Sequence, residues 1–170
     1  DEIEYKCSAD MVVISDDTKL HGIGGVMGGF DSGCNLDTTN VFLEVALFDP
    51  ISITKTGRKL NLQSEARYRF ERGVDSESIN WGVDVASKMI LDICGGECSN
   101  IVSTEIHKIE QKIIQFNIEK VKSIGGIDIP INDQVQILSD LEFTVKKINE
   151  LKLEVMVPTF RPDIDGEYDL

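Results

Sequence analysis

A chain of 170 residues with 41% hydrophobic and 28% charged side chains can build one large core or two small ones, which excludes a wholly disordered polymer. Its net charge of −13 argues against an autonomous nucleic-acid binder, because phosphate contacts need clustered Lys and Arg. No apolar run approaches the roughly eighteen residues of a membrane span, so no membrane partner is expected.

The opening Asp1-Glu2-Ile3-Glu4-Tyr5 has none of the regions of a signal peptide. Four irregularly spaced cysteines (Cys7, Cys34, Cys94, Cys98) and the lack of a glycosylation sequon read as a reduced, cytoplasmic protein. Residues 11–14 form a short β-like run, stopped by the turn formers Asp16-Asp17-Thr18. The glycine-rich stretch 21–29 follows, then a turn at Asp31-Ser32-Gly33. Residues 41–48 read as the clearest strand, and Pro50 opens a short helical or irregular segment reaching Leu60. Residues 64–72 alternate with period two, Ser64, Ala66, Tyr68 and Phe70 against Glu65, Arg67, Arg69 and Glu71, which reads as a further strand. Asp75 or Ser76 then caps the best helix, with Ile79, Val83, Ala86, Ile90 and Ile93 on one face and Gly95-Gly96 at its end.

Residues 103–112 read as a connector. Beyond it lies a β-α-α-β-β pattern: a strand at 113–116, a helix capped by Asn117 and closed by Gly125-Gly126, and a second helix capped by Asn132 that bears Val135, Leu138 and Leu141. Strands near 143–148 and 151–157 complete it, and Pro158 stops the last. The fold class is therefore α+β in two small domains: residues 1–106, a connector at 107–112, and a winged-helix-like domain at 113–170. The abrupt acidic end reads as a boundary inside a longer chain.

Candidate chemistry is sparse. Gly22-Ile23-Gly24 lacks the third glycine and the following helix of a dinucleotide fingerprint, leaving a tight turn or a loop that lets a ligand approach the backbone. Glu44 sits in an apolar strand, so a buried carboxylate needs either an arginine (Arg58, Arg67, Arg69 or Arg72) or a ligand. Cys94 and Cys98 have no second metal-spaced pair, with His107 remote, and His21 has no adjacent nucleophile. Asp163, Asp165, Glu167 and Asp169 place four carboxylates within seven residues, either a solvated tail or ligands for a hard cation.

Gly24-Gly25-Val26-Met27-Gly28-Gly29, Thr39-Asn40-Val41-Phe42-Leu43-Glu44-Val45-Ala46-Leu47-Phe48-Asp49-Pro50 and Arg69-Phe70-Glu71-Arg72-Gly73-Val74-Asp75 together resemble bacterial phenylalanyl-tRNA synthetase β subunits, in order and spacing. The likeness covers the C-terminal part of the proofreading module and the small domain after it. It implies a module that hydrolyses tyrosine misattached to tRNA(Phe), with Gly28, Glu44, Ser64 and Ala66 lining the tyrosyl pocket and Glu44 accepting a hydrogen bond from the phenolic hydroxyl. Ser64 stands where the family often has Thr, and Ser76 where Pro usually follows the aspartate. No side chain acts as catalyst; water is positioned by the pocket and the tRNA. Asp163 and Asp169 match magnesium-ligand positions whose companions would lie past Leu170, so the metal site is expected to be incomplete here.

The resemblance further implies a class II ligase of α₂β₂ form that joins phenylalanine to tRNA(Phe) with ATP and Mg²⁺, the ATP bound elsewhere and the α subunit as partner. The winged-helix-like domain is read as a packing module with no DNA partner, given its charge. The alternative is an inert scaffold or subunit-interaction piece of the same subunit.

Overall fold

The computed structural model describes residues 3–104 and 111–170. The chain divides into two compact units, Asp1–Ile101 and Val102–Leu170. Most of the connector expected at 107–112, and His107 with it, lies outside the described residues. Both units mix helices with a small antiparallel sheet, which bears out the α+β reading.

In the first unit the strands β1 (Val13–Ser15), β2 (Leu20–Ile23) and β3 (Met27–Gly28) pair in that order. Val13 faces Ile23, Gly22 faces Gly28, and the register shifts between Ile14 and Ser15. The carboxylate of Asp16 closes the first turn by accepting from the Thr18 hydroxyl and the amides of Thr18 and Lys19. Led by the Thr18 hydroxyl, these bonds and one to His21 hold its carboxyl far below the usual carboxylate range. Of the two expectations for the glycine stretch, a tight turn or a ligand-approach loop, the tight turn with positive φ is present, at the tip of the β2–β3 hairpin. Its turn needs Gly25, which sits at φ +65° with space for a Cβ only 2.8 Å from Ile53 Cδ1.

Helix α1 (Pro50–Leu60) starts where the sequence places it. Pro50 needs no amide partner, and the Asp49 carboxylate accepts from the amide and hydroxyl of Ser52, which lowers its pKa. Ile53, Thr56 and Gly57 are its buried face, and Val26, Ile53 and Leu62 form the core, with Tyr5, Met27, Phe48 and Phe70 packed around them. Asn61 ends the helix in the left-handed region, φ 50°.

Two expected strands are absent. Residues 64–72 contain helix α2 (Glu65–Phe70), because Ser64 caps the Arg67 amide and the pairs Glu65–Arg69 and Arg67–Glu71 fall four residues apart, one helical turn. Residues 41–48 run without strand pairing among the described residues. Phe42 is 92% exposed, while Val45 lies beside Gly82 and Phe48 meets Phe70 edge-to-face with ring centres 5.2 Å apart. Helix α3 (Ser78–Cys94) begins one to two residues later than expected, with Glu77 at the cap position, after a turn in which Asp75 accepts from the Glu77 amide and the Ser78 hydroxyl. It ends at Gly95 and Gly96, both at positive φ, as predicted. None of its residues is buried, and Trp81, Val85, Met89 and Ile93 form an exposed row at four-residue spacing.

The second unit has the expected β-α-α-β-β order: β4 (Ile113–Asn117), α4 (Glu119–Gly125), α5 (Ile131–Asp140), β5 (Thr144–Lys147) and β6 (Lys152–Met156). β6 is central, paired antiparallel with both neighbours. Period-two alternation buries Ile114 and Phe116 from β4 and Leu153, Val155 and Val157 from β6 and beyond, against Leu138, Phe143 and Ile164. Asn117, expected to cap α4, is the last residue of β4: Ile118 holds the N-cap position, although the Asn117 side chain does accept from the Glu119 amide. Asn132 does not cap α5: Pro130 holds that position and Asn132 is inside the first turn. Leu141, expected on the apolar face, is exposed at the helix end.

Candidate functional site

The hairpin of the first unit walls a cavity of about 310 Å³. Gly28 and Gly22 contribute backbone, while Tyr5, Leu20, Met27, Phe30 and Leu62 contribute apolar or aromatic surface. A Cβ built on Gly28 meets nothing within 4 Å, so the strand presents open space there. Apolar walls with exposed peptide groups suit a flat, largely apolar group carrying few polar atoms. The lining residues come from four separate stretches of chain, which no local sequence pattern joins; the family resemblance points to Gly28, and to neither Tyr5 nor Leu62.

Ser64 reaches the same neighbourhood from the other side. Its hydroxyl donates to the Val26 carbonyl, two residues from Gly28, and accepts from the Arg67 amide. One side chain thus starts α2 and fastens it to the hairpin turn. Arg67 completes the joint: Nε donates to Glu71 at 2.9 Å and Nη1 to the Leu62 carbonyl, with the side chain 12% exposed. The guanidinium lies against α1 at Gly57, where a Cβ would fall 2.2 Å from Arg67 Nε. Among the described residues Glu44 pairs with none of the expected arginines: Arg58 makes no ion pair, Arg67 is engaged with Glu71, Arg69 with Glu65, and Arg72 with Glu71.

Glu44 and Ala66 are both exposed, and neither lines the cavity. Of the four expected pocket residues, Gly28 lines the cavity, Ser64 bonds the Val26 carbonyl two residues away without lining it, and Glu44 and Ala66 do neither. The buried strand expected around Glu44 is corrected to an unpaired segment with the carboxylate in solvent. His21, also singled out, donates from Nε2 to the Asp16 carboxylate at 2.8 Å beside the β1–β2 turn. Cys94 and Cys98 are free and exposed.

The acidic segment is engaged with the protein itself. Asp163 takes both guanidinium bonds of Arg161 at 2.8 Å, which lowers its pKa. Asp169 accepts from the amides of Gly166 and Asp165, again lowering its pKa. Asp165 pairs with Lys112 at 2.7 Å, and Glu167 pairs with Lys120 while accepting from the Asn117 amide. Among the described residues no three metal-ligating side chains converge. As they stand, Asp163 and Asp169 do not fit a magnesium site, since four carboxylates with four different partners offer no shared oxygen cage.

Residues 1–95 match the family model of the B3/4 domain, and residues 114–170 that of the tRNA synthetase B5 domain. The phenylalanine–tRNA ligase beta subunit of Mesorhizobium japonicum is 44% identical over 98% of this chain and 21% of its own length. That of Ruegeria pomeroyi is 44% identical over 100% and 21%, and that of Novosphingobium aromaticivorans 42% over 98% and 20%. The chain spans about a fifth of the length of these curated relatives. Among the described residues no helix is long and apolar enough to cross a membrane. With a B3/4 domain, a B5 domain and this likeness running through both, the chain belongs to the family of bacterial phenylalanine–tRNA ligase beta subunits.

Proposed function

We propose that residues 1–106 are part of a proofreading module that hydrolyses Tyr-tRNA(Phe), and that residues 113–170, which follow it in sequence, are a packing module. The observation that supports this most directly is the Gly28 cavity, open, mostly apolar, and tied through Val26 to Ser64. A tyrosyl ring needs such walls, and its hydroxyl needs one well-placed acceptor. In this reading Glu44 is that acceptor, which requires residues 41–48 to bring it to the cavity that it does not line here. An exposed carboxylate discriminates little, because water satisfies it when the substrate does not. Selection against phenylalanine therefore requires residues 41–48 to be covered when the site works, so that an unmatched Glu44 carries its desolvation cost. No side chain of the cluster is placed as a nucleophile, and water attacks the ester.

The parent enzyme joins phenylalanine to tRNA(Phe) with ATP and Mg²⁺ in a class II, α₂β₂ assembly of the cytoplasm, and the α subunit and tRNA(Phe) are the partners of this chain. A second reading is an inert scaffold that contributes surface to the subunit. The exposure of Phe42 and of the Trp81–Ile93 row favours it. Deacylation of Tyr-tRNA(Phe) by the chain and by the full-length subunit, each with and without Glu44→Ala, separates the two. Loss of hydrolysis with Glu44→Ala supports proofreading, and unchanged hydrolysis in both proteins refutes the role of Glu44.

A further inference from the structure

Charge in the first unit is not spread evenly. Residues 50–72, which contain α1 and α2, hold 6 basic and 2 acidic side chains, whereas the rest of residues 1–101 holds 3 and 15. An island of net +4 thus stands in surroundings of −12. A random exposed helix in so acidic a chain should itself be acidic, and five of the six basic residues here sit on α1 or α2, which meet at Gly57 and Arg67, while Arg72 follows the end of α2.

The individual cations are available in different degrees. Arg67 is internal, and Lys59 pairs with Asp10 at 3.1 Å. Lys55 and Arg58, one turn apart on the exposed side of α1, enter no ion pair among the described residues. Arg69 and Arg72 make only surface pairs, with Glu65 and Glu71, of a kind that exchanges readily for a phosphate. Beside them Tyr68 is 56% exposed, and the Arg72 guanidinium lies 3.8 Å from its ring centre. An exposed aromatic ring with a guanidinium plane on it is a surface on which an unstacked base stacks, and it has no equivalent value for an acidic peptide.

We propose that α1 and α2 form the surface on which this chain meets RNA, with Lys55, Arg58, Arg69 and Arg72 on phosphates and the Tyr68–Arg72 pair on an unpaired base. That the RNA is a tRNA rests on the proofreading reading; the charge and stacking argument does not. The acidic remainder of the unit confines the strand to this one face by repulsion.

Fluorescence anisotropy of a labelled, uncharged tRNA(Phe) transcript with the whole chain at low salt tests it. Lys55→Gln/Arg58→Gln should weaken binding about tenfold and flatten the salt dependence by roughly two phosphate contacts. Tyr68→Ala should weaken it about fivefold and leave the salt dependence unchanged. Lys146→Gln/Lys147→Gln, on β5 of the second unit, should change it by less than about twofold. No binding by the unsubstituted chain, or equal losses from the β5 and α1 variants, overturns the proposal. If Glu44→Ala still deacylates Tyr-tRNA(Phe) while the α1 variants lose RNA binding, the proofreading reading of Glu44 fails and the RNA surface stands.

Discussion

Replacing Gly57 by alanine should destabilise the first unit, although in an ordinary helix that change is favourable by about 1 kcal/mol. The added methyl would lie 2.2 Å from Arg67 Nε, 2.4 Å from Cδ and 2.6 Å from Cζ, all far inside contact distance. Arg67 cannot swing aside at no cost, since it is pinned by Glu71 at one atom and by the Leu62 carbonyl at another. Displacing it gives up two charge-assisted hydrogen bonds, each with a net worth of roughly 1.5–3 kcal/mol, and orphans a carbonyl. Setting the propensity gain and rehydration of the freed guanidinium against that loss leaves a net cost of about 2–3 kcal/mol. Hydrogen exchange of the α1 and α2 amides measures it, with the β4–β6 amides of the other unit as internal reference. The decisive comparison is a double-mutant cycle: in an Arg67→Ala background, Gly57→Ala should cost nothing or stabilise by about 1 kcal/mol. Gly57→Ala at wild-type stability, or the same penalty in both backgrounds, would refute the argument.

Three other outcomes are expected. Ser64→Ala should cost about 1 kcal/mol in the same exchange experiment by removing the cap, and loosen the hairpin turn at Val26, while Ser64→Thr keeps both bonds. In the second unit, Lys120 and then the Asn117 amide hold the Glu167 carboxyl below its ordinary value of 4.5, so this pairing contributes stability above about pH 4.5 that is lost as pH falls through the lowered folded value. Carboxyl-detected NMR should show that lowered titration, and Lys120→Met should move it up; an unchanged midpoint in the variant would sink the assignment. Millimolar magnesium should leave the melting temperature of the chain unchanged, because Asp163 and Asp169 are committed to Arg161 and to backbone amides. A saturable rise in melting temperature would show that these carboxylates regroup around the ion.

The second unit was legible because each of its signals agreed with the others. Ile114, Phe116, Leu153 and Val155 alternate on strands that are truly half-buried, and Asn117 and Gly126 mark a short helix from both ends. Residues 64–72 carried two patterns at once. Alternation of Ser64, Ala66, Tyr68 and Phe70 suggested a strand, but the charges opposite them are spaced as Glu65–Arg69 and Arg67–Glu71, and Ser64 is an N-cap residue. Local capping and ion pairs prevailed over a periodicity that had no partner strand to reward it. The same absence explains residues 41–48, whose β-rich composition is a statement about fitting a pleated surface that the described residues do not provide. Of the site residues, Ser64 proved to be tied to the hairpin turn that carries Gly28, which no spacing rule announces because the link runs through the Val26 carbonyl.

The staple at Lys112 has a mechanical meaning. Its carbonyl accepts from the Val157 amide, and its ammonium holds the Ile164 carbonyl and Asp165, so the start of β4 is fastened to the segment that follows β6. These bonds close the chain between residues 112 and 165 into a loop. Pulled along the backbone, the unit loads them once the packing of Glu167 and Leu170 has given way. Only when they tear does that loop open as slack. Lys112→Ala should therefore lower the unfolding force of this unit in a single-molecule pull more than it lowers equilibrium stability.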